Sequence, residues 1–179
     1  NAYLPAAEDG TSLQSASVAL EPATGDVLAV VGATKYEGFR TYNRATQMPM
    51  APGSTIKPLS VYTPALEAGY AVDAEVMDDD SLTYGDDAYS VSNYDRNSLY
   101  DTLPMYQAIA ESKNTSAVWL LDKLGIQRGI SKLEDFGISI GEADENLGAI
   151  ALGGMSKGVT PVQLASAYTT FVNEGVRTQ

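Results

Sequence analysis

The sequence predicts an α+β fold, with two β-strands at the front, several helices behind them and no regular alternation of the two. Three observations carry that expectation. From Ser15 to Glu21 apolar residues alternate, placing Ala16, Val18 and Leu20 on one face, which is the period of a half-buried strand. Pro22-Ala23-Thr24-Gly25 has turn composition, and Asp26 to Gly32, carrying Val27, Leu28, Val30 and Val31, supplies the second strand of a hairpin. Beyond them, apolar stripes at helical spacing end at glycine, the residue preferred just past a helix C-terminus.

In chain order, residues 1–14 are polar and read as an irregular lead-in to a domain over 15–179. Residues 33–53 read as a loop containing Asn43-Arg44-Ala45-Thr46. A helix is expected to open near Ser54 and close at Gly69; Pro58 falls in its first turns, where a missing N–H is tolerated, and Pro64 should kink it. Residues 73–101 are acidic, with Asp78-Asp79-Asp80 read as a solvated loop. The alternating ligands of a calcium loop are missing there, so no metal is expected. Thr102 and Pro104 read as the cap and first turn of a helix running to Ser112. Two more helices follow, Thr115 to Leu124 ending at Gly125, and Ile126 to Phe136 ending at Gly137. The Gly-rich stretch 138–159 reads as loop, and Thr160-Pro161 starts a last helix with Leu164, Tyr168, Phe171 and Val172 on one face, ended by Gly175. No internal repeat appears.

Composition narrows the chemistry. A chain of 179 residues that is 44% hydrophobic can bury the core of one domain. Its net charge of −12 repels phosphate backbones and anionic lipid, which argues against a nucleic-acid or membrane-surface role. No apolar run reaches the roughly 18 residues of a spanning helix, so any membrane anchor is expected outside these residues. Without cysteine there is no thiolate nucleophile, and without histidine every Ser-His-Asp or His-metal mechanism is gone. What survives is a carboxylate site, or a serine enzyme with another base. No cofactor is called for. The chain opens at Asn1 and stops at Gln179, and reads as a piece of something longer.

Ser54-Thr55-Ile56-Lys57 is the only S-x-x-K. Residues three apart share a helix face, so the hydroxyl and the amine can approach one another. Serine attacks only when a base takes its proton, and lysine is a base only when its pKa is depressed by desolvation or a nearby cation. A helix N-terminus adds a dipole and free N–H groups that favour an oxyanion. By composition alone S-x-x-K arises roughly 0.7 times in such a chain, so it needs support, since a capping Ser54 beside a solvent-facing Lys57 would look the same. Ser112-Lys113-Asn114 supplies it: the only S-x-N, at a junction of two helical patterns. Ser112 could relay a proton and Asn114 could bind an amide, although either could also cap or break a helix.

With these motifs on the page, Pro52-Gly53-Ser54-Thr55-Ile56-Lys57-Pro58, preceded by Asn43-Arg44-Ala45-Thr46, resembles the active-site segment of penicillin-binding proteins, and within them the transpeptidase domain of the class A, bifunctional type. Ser17 to Pro22 with Gly25 to Ala29 resembles that domain's opening hairpin, Asn93-Tyr94-Asp95 its N-Y-D turn, and Leu152-Gly153-Gly154 with Gly158 to Pro161 its later helix entry. The resemblance implies the β-lactamase/transpeptidase fold, present here as the hairpin and helical part without the C-terminal sheet strands. It implies that Ser54 is the acylated nucleophile, Lys57 the acceptor of its proton, Ser112 the proton shuttle to the leaving nitrogen, and Asn114 a ligand of the substrate's amide. Implied partners are the D-Ala-D-Ala end of a peptidoglycan stem peptide and β-lactam antibiotics; the implied place is the extracytoplasmic face of a bacterial membrane.

One feature of the family is absent. No K-T-G triplet occurs, and its strand is expected past Gln179. That strand gives one of two oxyanion N–H groups, the other coming from Ser54, and losing one such donor costs about 2.7–4 kcal/mol. These residues alone are therefore expected to acylate poorly unless the rest of the domain completes them. A class A β-lactamase fits less well, because the N-R-A-T and N-Y-D contexts belong to the transpeptidases. A non-catalytic scaffold or binding module that keeps the fold is the competing reading.

Overall fold

The computed structural model describes residues 8–36, 38–39 and 41–178, and its chain divides into two units, residues 1–50 with 158–179, and residues 51–157. Of the expected irregular lead-in, residues 1–7 lie outside the described residues.

In the first unit β1 (Ser17–Leu20) pairs antiparallel with β2 (Val27–Val31), as the alternation predicted. Gly25, at φ +81°, makes the turn, its N–H donating to the Glu21 carbonyl at 2.8 Å. The register runs Ala19 to Ala29 and then Leu20 to Val27, so Leu28 bulges out. Ala16, Val18 and Leu20 are half-buried, whereas every residue of β2 is exposed. The segment read as loop contains a one-turn helix, α1 (Arg44–Gln47), whose N-terminus is satisfied by the Asn43 side chain accepting from the Ala45 N–H at 3.0 Å. One turn is too short to show a period, so only the capping asparagine could have signalled it. The last helix, Pro161–Val172, opens with a capping box between Thr160 and Gln163. Its predicted apolar face is only half-correct: Leu164 and Tyr168 are half-buried, but Phe171 and Val172 are exposed. The helix packs against β1 and α1, and its buried residues are the smaller Ala167 and Thr169.

The second unit begins with the segment that carries Ser54. It is helical throughout but changes pitch, from a 3-10 turn (Gly53–Ile56) through a π turn (Pro58–Tyr62) to α2 (Thr63–Glu67), with Gly69 beyond its end at φ +95°. The expected disturbance at Pro64 takes the form of that π turn. Pro64 has no N–H for the carbonyl of Ser60, and the widened turn instead brings the Thr63 N–H and hydroxyl onto the Pro58 carbonyl, the latter at 2.7 Å.

Of Asp78-Asp79-Asp80, read as a solvated loop, Asp79 and Asp80 do lie outside any strand, but Asp78 does not, and the acidic stretch around them forms short ladders. β3 (Glu75–Asp78) pairs with β6 (Asp101–Pro104), β4 (Thr83–Tyr84) pairs with β5 (Tyr89–Ser90), and Asp78 is fully buried. Thr102 is therefore a ladder residue opposite Met77 rather than a cap, and extended Pro104 precedes α3 (Met105–Ala110) without any side-chain cap. Next come α4 (Asn114–Leu124) and α5 (Ile126–Asp135), each followed by its expected glycine at positive φ. The stretch 138–159, read as loop, holds a further helix, α6 (Leu147–Leu152), capped by the Asn146 side chain and closed by left-handed Gly153. The helix Pro161–Val172 is thus α7. Ile56, Leu59 and Val61 are buried in the core with Val118, Leu121, Leu133 and Ile150. Emptying one such position, as in Leu121→Ala, costs about 2–5 kcal/mol. Among the described residues no helix is long and apolar enough to cross a membrane.

Candidate active site

Ser54 lies on the 3-10 turn, where residues three apart eclipse one another. The Lys57 N–H donates to the Ser54 carbonyl. Both side chains stand on the same side of the turn by this spacing, but their exposure differs. Ser54 is exposed, and Lys57 is 1% exposed.

The Lys57 amine reaches across to the second motif, 55 residues on. Its Nζ donates to the Ser112 carbonyl at 2.6 Å, to Ser112 Oγ at 3.2 Å and to Asn114 Oδ1 at 2.7 Å. All three acceptors are neutral. Burial with no opposing charge pushes the lysine down from 10.5 to about 8, which leaves about a tenth of it uncharged at neutral pH. A neutral amine keeps two N–H groups and gains a lone pair, so one of the three contacts must reverse, and only the Ser112 hydroxyl can become a donor. The Ser54 hydroxyl makes no hydrogen bond to Lys57 among the described residues. The structure therefore brings Lys57, Ser112 and Asn114 together, with Ser54 one turn away at the surface.

Ser112 sits at φ +53°, in the left-handed region that a non-glycine residue rarely enters. It follows the C-terminus of α3 in a Schellman arrangement: its N–H donates to Ile109, and the Lys113 N–H donates to Ala108 at 2.9 Å. Glycine is the usual occupant. A serine there, with its carbonyl turned onto Lys57, is strained backbone at a polar site.

Residues to which the sequence assigns no site role hold that turn in place. The Asn93 side-chain oxygen accepts the N–H groups of Asn114 and Thr115, at 2.7 and 3.2 Å, and so caps α4 from outside the helix. Asn93 Nδ2 donates to Asp78 Oδ1 at 2.6 Å, and the Thr115 hydroxyl donates to the same oxygen. The other Asp78 oxygen takes the Tyr100 N–H at 3.1 Å and pairs with Lys113 Nζ at 3.4 Å. Lys113, the middle residue of S-x-N, is 4% exposed and also donates to the Ser98 carbonyl and hydroxyl. Asn114 is fixed at both ends, its Nδ2 donating to the Ser92 carbonyl at 3.1 Å. Val76 and Asp78 share one face of a strand and both are buried, which the sequence does not signal because a run of three aspartates reads as solvated.

Beneath Ser54 the support is backbone. The Gly53 N–H donates to the Gly153 carbonyl at 3.2 Å, and a Cβ on Gly153 would stand 2.2 Å from the Gly53 oxygen. With φ at +74°, position 153 admits glycine on both counts. The Ser60 hydroxyl adds a second tie to α6, donating to the Ile150 carbonyl at 2.7 Å.

The sequence profile of the penicillin binding protein transpeptidase domain matches residues 15–179. The chain belongs to that family. It is 46% identical over 175 residues to penicillin-binding protein 2a of Streptococcus pneumoniae, covering 96% of this chain and 23% of that protein. It is 40% identical over 178 residues to penicillin-binding protein 1F of Bacillus subtilis, covering 99% and 23%. The relatives are of the class A type to which the motifs pointed, and this transpeptidase domain segment spans about a quarter of their length.

Among solved structures, the imipenem acyl-enzyme of penicillin-binding protein A from M. tuberculosis superposes with a TM-score of 0.82 at 22% identity, over 93% of this chain and 48% of the other. That likeness establishes the fold, α+β of the β-lactamase/transpeptidase kind. PonA1 of Mycobacterium tuberculosis, solved in complex with penicillin V, gives 0.73 at 26% identity, over 92% and 45%.

Proposed function

We propose that this domain is a serine D,D-transpeptidase that cross-links peptidoglycan stem peptides through an acyl-Ser54 intermediate and is inhibited by β-lactams. What carries the reading is the Lys57 amine, buried among neutral acceptors, lowered to about 8, and shared by Ser112 and Asn114 one turn from Ser54. Uncharged Lys57 takes the Ser54 proton as Oγ bonds to the carbonyl carbon of the penultimate D-alanine. Ser112, hydrogen-bonded to Lys57, passes a proton to the departing D-alanine nitrogen, or to the ring nitrogen of a β-lactam, as the C–N bond breaks. An amine of a second stem peptide then attacks the ester and releases Ser54. Asn114 keeps one amide N–H for the acyl side chain, its other groups being engaged. No cofactor takes part, and the protein would act at the extracytoplasmic face of the bacterial membrane, anchored through residues outside this chain.

The competing reading, a binding module that turns nothing over, draws on one observation: the Ser54 hydroxyl is not hydrogen-bonded to its base. Catalytic hydrogen bonds are often loose before substrate arrives, so this does not decide against turnover. Labelling of the full-length protein with a fluorescent penicillin separates the two. A covalent adduct lost in Ser54→Ala supports the acyltransferase, and no adduct in the unaltered protein supports the module.

A further inference from the structure

Helix α4 opens without a cap of its own. Lys113, at the N-cap position, makes no side-chain capping bond, and its amine is paired with Asp78 instead. The first donors of the helix are met from 21 residues back, by Asn93 Oδ1, which takes the N–H of Asn114 at 2.7 Å and both the N–H and the hydroxyl of Thr115 at 3.2 Å. The residue before Asn93 joins in, the Ser92 carbonyl accepting from Asn114 Nδ2 at 3.1 Å. Two consecutive residues thus clamp Asn114, one by its backbone and one by its side chain. The clamp leaves Asn114 Oδ1 aimed at Lys57 Nζ, 2.7 Å away.

An amide can meet its neighbours with either its oxygen or its nitrogen. Asn93 is 6% exposed, so water does not decide its direction, and Asp78 does. A carboxylate only accepts, so Asp78 Oδ1, at 2.6 Å, keeps Nδ2 on its own side and turns the amide oxygen to α4. Turned over, the amide would set oxygen against oxygen and its NH₂ against two N–H groups. We infer that Asn93 is a positioning residue for acylation, its amide directed by Asp78 and holding Ser112 and Asn114 where Lys57 uses them. The inference rests on the transpeptidase reading and adds to it a residue that acts through Asn114. Ser112 has the most to lose, because its left-handed backbone, at φ +53°, persists only while its surroundings hold it.

Acylation of the full-length protein by saturating fluorescent penicillin, followed at about pH 9 so that Lys57 is mostly uncharged, tests it together with hydrogen–deuterium exchange over residues 112–116. Asn93→Ala should slow acylation about tenfold or more and speed exchange at Asn114 and Thr115. Leu133→Ala, which empties a buried position of α5, should lower the melting temperature at least as far and leave the acylation rate unchanged. Asn93→Asp sets a second acceptor against Asp78 and should also be slow. Adding Asp78→Asn to it restores a donor between the two with their parts exchanged, and most of the rate should return. The inference is overturned if Asn93→Ala acylates at the unaltered rate or leaves exchange over 112–116 unchanged. It is equally overturned if Leu133→Ala slows acylation as much, or if the exchanged pair is no faster than Asn93→Asp alone. An unaltered protein that forms no adduct, while Asn93→Ala still loosens 112–116, refutes the transpeptidase reading and with it the acylation role, but not the clamp.

Discussion

The pocket around Lys57 and the pocket around Lys113 both take a lysine out of water, to 1% and 4% exposure, and then treat it in opposite ways. The first offers neutral oxygens only, from Ser112 and Asn114. The second offers the carboxylates of Asp78 and Glu111, at 3.4 and 3.3 Å, and the face of Tyr100 at 4.6 Å. One residue type, buried in both places, thus meets two opposite surroundings. The amine that sheds its proton in the mechanism proposed above is kept from any counter-charge, whereas the amine that ties α4 to β3 is given one.

The strongest way to break the contrast is to remove the first amine. Lys57→Ala should slow β-lactam acylation of the full-length protein by about 10²–10⁴-fold, read from the rate of adduct formation with a fluorescent penicillin. Giving Lys57 a counter-charge should be nearly as damaging. Asn114→Asp should slow acylation at neutral pH and move the rise of its rate–pH curve upward, and an unchanged curve would refute the role given to neutral surroundings.

The converse change strips Lys113 of its partner. Asp78→Leu leaves the buried Lys113 ammonium with only the more exposed Glu111 carboxylate and should cost about 3 kcal/mol, measured by denaturant unfolding. Asp78→Leu combined with Lys113→Met should recover part of that loss, since no charge is then stranded while the Asn93, Thr115 and Tyr100 donors still lack the Asp78 oxygens. Recovery in the double variant is the mark of an ion pair rather than of packing.

Two smaller effects sharpen the comparison. In the unaltered protein the acylation rate should climb with pH through about 8 as Lys57 loses its proton. The same group bears on stability. Because its folded pKa lies below 10.5, the unfolded chain holds more protons between about 8 and 10.5, and the Lys57 contribution to stability should rise with pH across that window. Unfolding free energies of the unaltered protein and Lys57→Met over that range would show the difference. Last, Ser112→Gly should stabilise the domain by about 1 kcal/mol by relieving the left-handed serine, while slowing acylation, since it deletes the hydroxyl beside Lys57.

Local signals were enough for the hairpin, for α4 and α5 and for the start of α7, because alternation, glycine stops and a capping box are each written within a few consecutive residues. They were not enough for α6, where Gly148 and two alanines hide a buried helix inside a stretch of loop composition. The spacing of Ser54 and Lys57 was legible, and so was the pairing with Ser112 and Asn114 through family resemblance. The burial of Asp78 was not. A run of three aspartates reads as solvated because charge normally seeks water, and only tertiary pairing with Lys113, Asn93 and Thr115 reverses that for the first of them.

The floor under Ser54, where Gly153 meets the peptide of Gly53, is made of main chain on both sides. Point mutation exchanges side chains and leaves peptide groups where they are. That patch therefore offers evolution no small adjustment: a substitution either adds atoms that lever a whole segment aside or changes nothing, and gradual retuning of the seat of Ser54 has to come from its walls.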